Sequence, residues 1–191
     1  MPRAGLTAQR VTDAAAELAD ADGLEAVTLA ALASRLGVRA PSLYAHVQGL
    51  DDLRARIAAR GSEQLAERLQ AAAAGRSRAS ALRALAAAYR DYAREHPGAY
   101  AALQRITVLD ERASLAAERT VGVVLAVLAG YGLEGEEALH ATRAIRSALH
   151  GFVLLESQEG FGMPLDTDES FGLLVEVLDR GLVDRAAGGV T

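Results

Sequence analysis

The side chains best placed to do chemistry lie in one short stretch, Arg39 to Gln48, with the sequence RAPSLYAHVQ. Ser42, Tyr44, His46 and Gln48 supply a hydroxyl, a phenol, an imidazole and an amide, the groups that hydrogen-bond phosphates and base edges. Nothing comparable points to catalysis. There is no cysteine, so thiolate chemistry, disulfides and cysteine-ligated zinc are excluded. His46, His96, His140 and His150 are scattered, with no two of them three or four residues apart on one helix face, so no metal site is expected. No nucleophile elbow, HExxH, phosphate-binding glycine loop or dinucleotide fingerprint occurs. The expectation is a protein without catalytic residues, metal or cofactor.

The polar stretch needs a support, and the residues before it provide one. From Val27 to Val47 the text reads as two short helices around a tight glycine turn. Thr28 is a helix cap by type, and Leu29, Leu32, Ala33 and Leu36 follow at the spacing of one buried stripe. Gly37 can take the left-handed conformation that ends a helix, with Val38 packed into the corner. Pro41 suits the first turn of the next helix. Leu43 and Val47 tie that helix to the core and leave Ser42, Tyr44, Ala45, His46 and Gln48 outward. This is a helix-turn-helix, whose second helix is shaped to enter a DNA major groove.

The segment from about Ala8 to Ile57 resembles the DNA-binding domain of the TetR family of transcriptional regulators. The resemblance is carried by DADGLEAVTL, LASRLGV, PSLYAHV and LDDLRARI. It implies that Thr28 touches a phosphate. It implies that Arg39, Ala40, Pro41 and Ser42 face bases or backbone, that Tyr44 and His46 clamp phosphates, and that Gln48 lies within the contact surface. The chain departs from the family at Leu50, where many members carry a phosphate-binding lysine, and at Ala30, where some have a long base-reading side chain. Fewer direct readers imply weaker or less selective binding, or more use of DNA shape.

Composition bounds the rest. The chain has 191 residues, 51% hydrophobic and 4% aromatic, with long alanine runs and four prolines, a text that favours helix throughout. All-α architecture is expected, with about nine helices. Residues 1–56 would form the helix-turn-helix domain and 57–191 a larger helical domain for ligand binding and dimerisation. Apolar runs fall short of the roughly 20 residues that span a bilayer, and no signal peptide is evident, so a cytoplasmic location without membrane partners is expected. Net charge is −5. Residues 1–60 hold seven Arg and seven acids, so the reading part is neutral. Arg3, Arg10, Arg35, Arg39, Arg54 and Arg56 must then act locally to offset the duplex, with modest non-specific affinity.

A first helix from about Thr7 to Ala21, with Val11, Ala14, Ala15 and Leu18 inward, precedes the helix-turn-helix; beyond it, a long helix from Asp51 to about Ala74 is followed by helices near 77–95, 99–108, 111–130, 134–157 and 168–184. His96-Pro97-Gly98 breaks the first of these, and a tail from Ala187 to Thr191 frays. Tyr89, Tyr92, Tyr100, Leu103, Gln104, Val124, Leu128 and Arg143 could line a mostly apolar cavity with polar anchors, or simply pack. The last two helices carry wide apolar stripes that could be buried internally or against a second subunit. SALHGFVLLE, at 147–156, resembles the Trp-His-Gly type of TetR C-terminal domain, with Leu149 in the Trp position and His150 and Gly151 retained. The family resemblance implies a homodimer through these helices, involving Ile145, Leu149, Phe152, Phe171, Leu174 and Leu178, and a small-molecule effector. The combined expectation is a DNA-binding repressor of a roughly palindromic operator. An alternative stays open on Leu50, Ala30 and the neutral charge: a helical ligand-binding or interaction protein that has lost specific DNA binding.

Overall fold

The computed structural model describes residues 5–105 and 111–188. Among them are the helices α1 (Ala8–Asp22), α2 (Leu29–Leu36), α3 (Leu50–Ala73), α4 (Arg78–Glu95), α5 (Pro97–Leu103), α6 (Glu111–Ala129), α7 (Gly135–Ser157) and α8 (Thr167–Gly188). Two 3-10 helices, Leu24–Ala26 and Ala40–Ala45, complete the set, and no described residue is in a strand. The all-α expectation holds. Leu24–Ala26 is the one element the sequence pattern did not disclose. The chain divides into two compact units, Met1–Gln64 with Glu95–Ala117, and Leu65–Arg94 with Glu118–Thr191.

In the first unit α1 begins at Thr7, whose hydroxyl accepts from the Arg10 amide at 3.2 Å, and ends at Gly23. Its predicted inward residues Val11, Ala14, Ala15 and Leu18 are all buried, together with Leu32, Leu43, Val47, Leu53 and Ile57. Helix α5 closes this core with Ala99 and Ala102. His96-Pro97-Gly98, predicted only as a stop, also opens α5: Pro97 is its first residue, where a missing N–H costs nothing. A Cβ on Gly98 would lie 2.1 Å from the carbonyl carbon and oxygen of Ala19 in α1, so only glycine allows the approach. One carboxylate oxygen of Asp20 accepts from the Ala99 amide at 2.9 Å, and the other lies 3.0 Å from Nδ1 of His96. Val108, the predicted end of this helix, lies outside the described residues.

The second unit packs Leu82, Leu85, Tyr92, Leu128, Leu133 and Leu149 into full burial. It also contains a polar knot. The buried Arg90 guanidinium meets Glu156 at 2.5 Å and Asp168 at 2.8 Å, and Arg94 meets Glu156 at 2.9 Å. The Arg90 guanidinium lies 5.4 Å from the Phe152 ring centre and 4.6 Å from that of Phe171. Hydrogen bonds from Arg90, helped by Arg94, hold the Glu156 carboxyl below the usual carboxylate range against the opposing effect of burial. Tyr131 donates to Asp179 at 2.5 Å, and burial with that carboxylate pushes its phenol upward. Helix α8 runs to Gly188. Ala187 and Gly188 are therefore helical and not part of a frayed tail, because α8 keeps its i→i−4 bonds to that point; residues 189–191 lie outside the described residues.

Candidate nucleic-acid interface

Helix α2 starts where Thr28 was expected to cap it: the Thr28 hydroxyl accepts from the Ala31 amide at 3.1 Å. Leu32 and Ala33 are buried, and Leu29 and Leu36 are half-buried against the same core. Gly37 sits at φ 66°, ψ 32°, the left-handed cap conformation. The Gly37 amide donates to Ser34 at 3.1 Å and the Val38 amide to Ala33 at 3.0 Å, which closes the helix end. Arg39 is extended, and the chain then enters Ala40–Ala45.

This second helix is 3-10 and not α, a difference from the predicted geometry. Pro41 removes one amide donor, and six residues give little room for i→i−4 bonds, so tighter i→i−3 bonds take over. The Ser42 amide donates to Arg39 at 2.9 Å and the His46 amide to Leu43 at 2.8 Å. Leu43 and Val47 are buried and anchor the element. Tyr44 is 62% exposed. Thr28, Arg39, Pro41, Ser42 and Gln48 are exposed as well, whereas His46 is half-buried and Ala40 packs against the core. The Gln48 amide donates to Asp52 at 2.8 Å, which ties the end of the reading element to α3. Leu50 opens α3 half-buried against the core, so packing occupies the position where the resemblance would place a phosphate-binding lysine.

The charge distribution was not legible from composition. Arg35 pairs with Glu17 at 3.1 Å, Arg54 with Glu25 at 3.2 Å, Arg56 with Asp52 at 3.0 Å and Arg60 with Asp13 at 2.7 Å. Arg105 shares Glu25, and its hydrogen bond draws the Glu25 carboxyl below its ordinary range. Arg10 is engaged too. Arg35, Arg54 and Arg56, expected to offset the duplex, are thus already neutralised in place; Arg3 lies outside the described residues. Among the described residues of this unit, Arg39 forms no ion pair.

Other expected positions fall in both units. Of the predicted cavity residues, Tyr89, Tyr92, Val124 and Leu128 are buried in the second unit, and Arg143 there is exposed. Tyr100, buried, Leu103, half-buried, and Gln104, exposed, belong to the first unit. Of the predicted interface residues, Ile145, Leu149, Phe152 and Phe171 are buried within the single chain, and Leu174 and Leu178 are half-buried. The apolar side chains that α7 and α8 leave exposed are Leu139, Leu154, Leu155, Leu173, Val177 and Val183. Burial and the neighbouring Arg146 push His150 downward.

Comparison with known proteins agrees with this geometry. Residues 11–57 match the family model for bacterial regulatory proteins of the tetR family, and residues 82–178 match the tetracyclin repressor-like C-terminal domain. The chain is 40% identical over 183 residues to the uncharacterized HTH-type transcriptional regulator YobS of Bacillus subtilis, covering 95% of each chain. It is 39% identical over 190 residues to the uncharacterized HTH-type transcriptional regulator Rv0681 of Mycobacterium tuberculosis, covering 98% of this chain and 87% of that one. Among solved structures, apo ActR from Streptomyces coelicolor has the same fold, with TM-score 0.75 and 21% identity over 98% of this chain and 100% of that one. A reading helix anchored at Leu43 and Val47, both family models and full-length relatives lead to one statement: this chain belongs to the TetR family of DNA-binding transcriptional regulators.

Proposed function

We propose that the protein is a ligand-responsive repressor that binds a roughly palindromic operator as a homodimer and is released by a small-molecule effector. The observation that carries the DNA reading is the exposed polar face of Ala40–Ala45, held by two buried anchors and entered through Arg39. Thr28, Tyr44 and His46 serve phosphates in this reading, with Gln48 at the edge of the same surface. Arg39, Pro41 and Ser42 lie nearest the bases, and Ala40 braces the helix on the core. The reading domain takes residues 1–56 and the remainder, 57–191, receives the effector and the partner subunit.

The dimer reading is supported by the exposed apolar residues of α7 and α8, with Leu173 62% and Val177 57% exposed. Such residues on two adjacent helices suit a four-helix bundle between two copies. The buried Ile145, Leu149, Phe152 and Phe171 would then stiffen that face from behind, leaving Leu174 and Leu178 at its margin. The effector reading rests on Tyr89, Tyr92, Val124 and Leu128, buried apolar side chains of the second unit that include two phenols. ActR, which shares the fold, has been solved in complex with (S)-DNPA. An effector lowers operator affinity only as far as it prefers the non-binding state. A regulator of this kind works in the cytoplasm and needs no membrane partner.

The test is selection of randomised duplex DNA on purified protein at about 0.1 M salt, where the Debye length is near 10 Å. An enriched inverted repeat is expected, with Tyr44→Ala losing about tenfold in affinity, as for a hydrogen bond to a charged group. Because Tyr44 is largely exposed, its loss should leave the fold unchanged. A folded dimer that enriches no sequence would favour the alternative, a helical ligand-binding protein without operator recognition.

A further inference from the structure

We infer that Arg39 reads a guanine, one in each operator half-site, and that this contact supplies most of the sequence discrimination. The inference rests on the DNA-binding reading above and adds which base is recognised and by which atoms. Four other arginines of the helix-turn-helix unit are committed to carboxylates: Arg35 to Glu17, Arg54 to Glu25, Arg56 to Asp52 and Arg60 to Asp13. Those pairs occupy the carboxylates as well as the guanidinium groups, and Asp20 is spent on Ala99 and His96. Arg10 has a partner as well, so Arg39 alone among the described arginines of residues 5–64 is exposed and unengaged, and it stands at the entry to the proposed reading helix.

Its neighbours narrow the chemistry further. Ala40, Pro41 and Ala45 have no side-chain donor, and Ser42 has one hydroxyl. Only the Arg39 guanidinium offers two parallel N–H groups, the fork that matches O6 and N7 of guanine in the major groove. A phosphate could also take an arginine, but in the proposed reading Thr28, Tyr44 and His46 provide the phosphate donors. The exposed Ala45 methyl and the Pro41 ring suit thymine methyls, so the guanine would stand out in an A·T-rich half-site.

The experiment uses the full chain and the duplex recovered by selection. Fluorescence anisotropy would compare wild type with Arg39→Ala on that duplex, on an unrelated duplex and on versions with 7-deazaguanine at each guanine in turn. We expect Arg39→Ala to weaken the selected duplex by about 5- to 150-fold per half-site, the range of a good bidentate base contact, with little change on the unrelated one. A single 7-deazaguanine position should weaken wild type and have no further effect on Arg39→Ala. An unchanged urea midpoint for Arg39→Ala would establish that folding is intact. Equal weakening of both duplexes, with a salt slope reduced by about one, would make Arg39 a phosphate contact and overturn the inference. So would wild-type binding insensitive to 7-deazaguanine at every position. If wild type itself binds no duplex selectively, the DNA-binding reading fails first and the inference falls with it.

Discussion

Gly98→Ala puts one methyl group into the tightest contact that any described glycine makes. The new Cβ would stand 2.1 Å from the carbonyl carbon and oxygen of Ala19 and 2.6 Å from its Cβ, where ordinary contacts begin at 3.4 Å. Helices α1 and α5 would have to separate by more than an ångström, because the obstacle is backbone and no rotamer relieves it. Overpacking of this kind costs about 1–3 kcal/mol, and a backbone clash belongs at the upper end. Alanine returns at most about 1 kcal/mol of helix propensity, less in the first turn of α5. The net loss should be about 2 kcal/mol, or roughly 4–8 °C in Tm for a chain of this size. Urea unfolding followed by circular dichroism measures it, with the m-value as a check that the unfolded state is unchanged. Gly122→Ala is the matched control: the same change in α6 meets nothing within 4 Å, so it should stabilise by about 0.5–1 kcal/mol. If Gly98→Ala were as stable as Gly122→Ala, the close approach of α5 to α1 would be wrong.

Three further outcomes follow from the same geometry. Glu156→Gln should cost about 2–3 kcal/mol at neutral pH, somewhat less than an orphaned buried partner because Arg90 keeps Asp168. The folded carboxyl lies below its ordinary value of 4.5, so its stabilisation is complete above that pH and is lost as pH falls through the lower folded value. Wild type should therefore lose stability on acidification below about pH 4.5 and Glu156→Gln should lose less; identical acid limbs in urea titrations would refute the role of this carboxylate. Thr28→Ala removes the α2 cap and should lower stability by about 1 kcal/mol, with Thr28→Ser retaining most of it. Gly151→Ala meets nothing within 4 Å in the subunit and should raise subunit stability by about 0.5–1 kcal/mol. If two α7 helices meet closely in the proposed dimer, the same change should weaken the dimer in sedimentation equilibrium, and an unaltered dimer would move the interface elsewhere.

Helix spacing was the most legible level of this sequence. The stripe Val11, Ala14, Ala15, Leu18 and the pair Leu43, Val47 were readable because a helix repeats every 3.6 residues, and all are buried. Caps were readable for a similar reason: Thr28 acts through its hydroxyl and Gly37 through its backbone amide, each within four residues. What escaped was non-local or depended on the balance between two local bonds. Gly98 looked like punctuation because its role depends on Ala19, almost 80 positions away. The 3-10 geometry of Ala40–Ala45 is set by how few residues lie between the extended Arg39 and the buried Val47, and no apolar period reports that.

The interface was half legible for a physical reason that bears on how it works. Residue types alone pointed to Ser42, Tyr44, His46 and Gln48, since a face of hydrogen-bonding groups is unusual on so short a helix, and the family resemblance added Arg39. Charge counting could only say that the region is neutral. It could not say which arginines cancel which acids, because Glu17 reaches Arg35 and Glu25 reaches Arg54 across the fold. Those pairings change the meaning of neutrality. An evenly spread neutral surface would bind DNA poorly at every sequence. On the proposal made above, a surface whose described arginines are engaged except at Arg39 also releases few counterions, but it keeps its remaining charge where a base edge would be reached. Weak non-specific attraction and local discrimination are then two consequences of one arrangement of ion pairs.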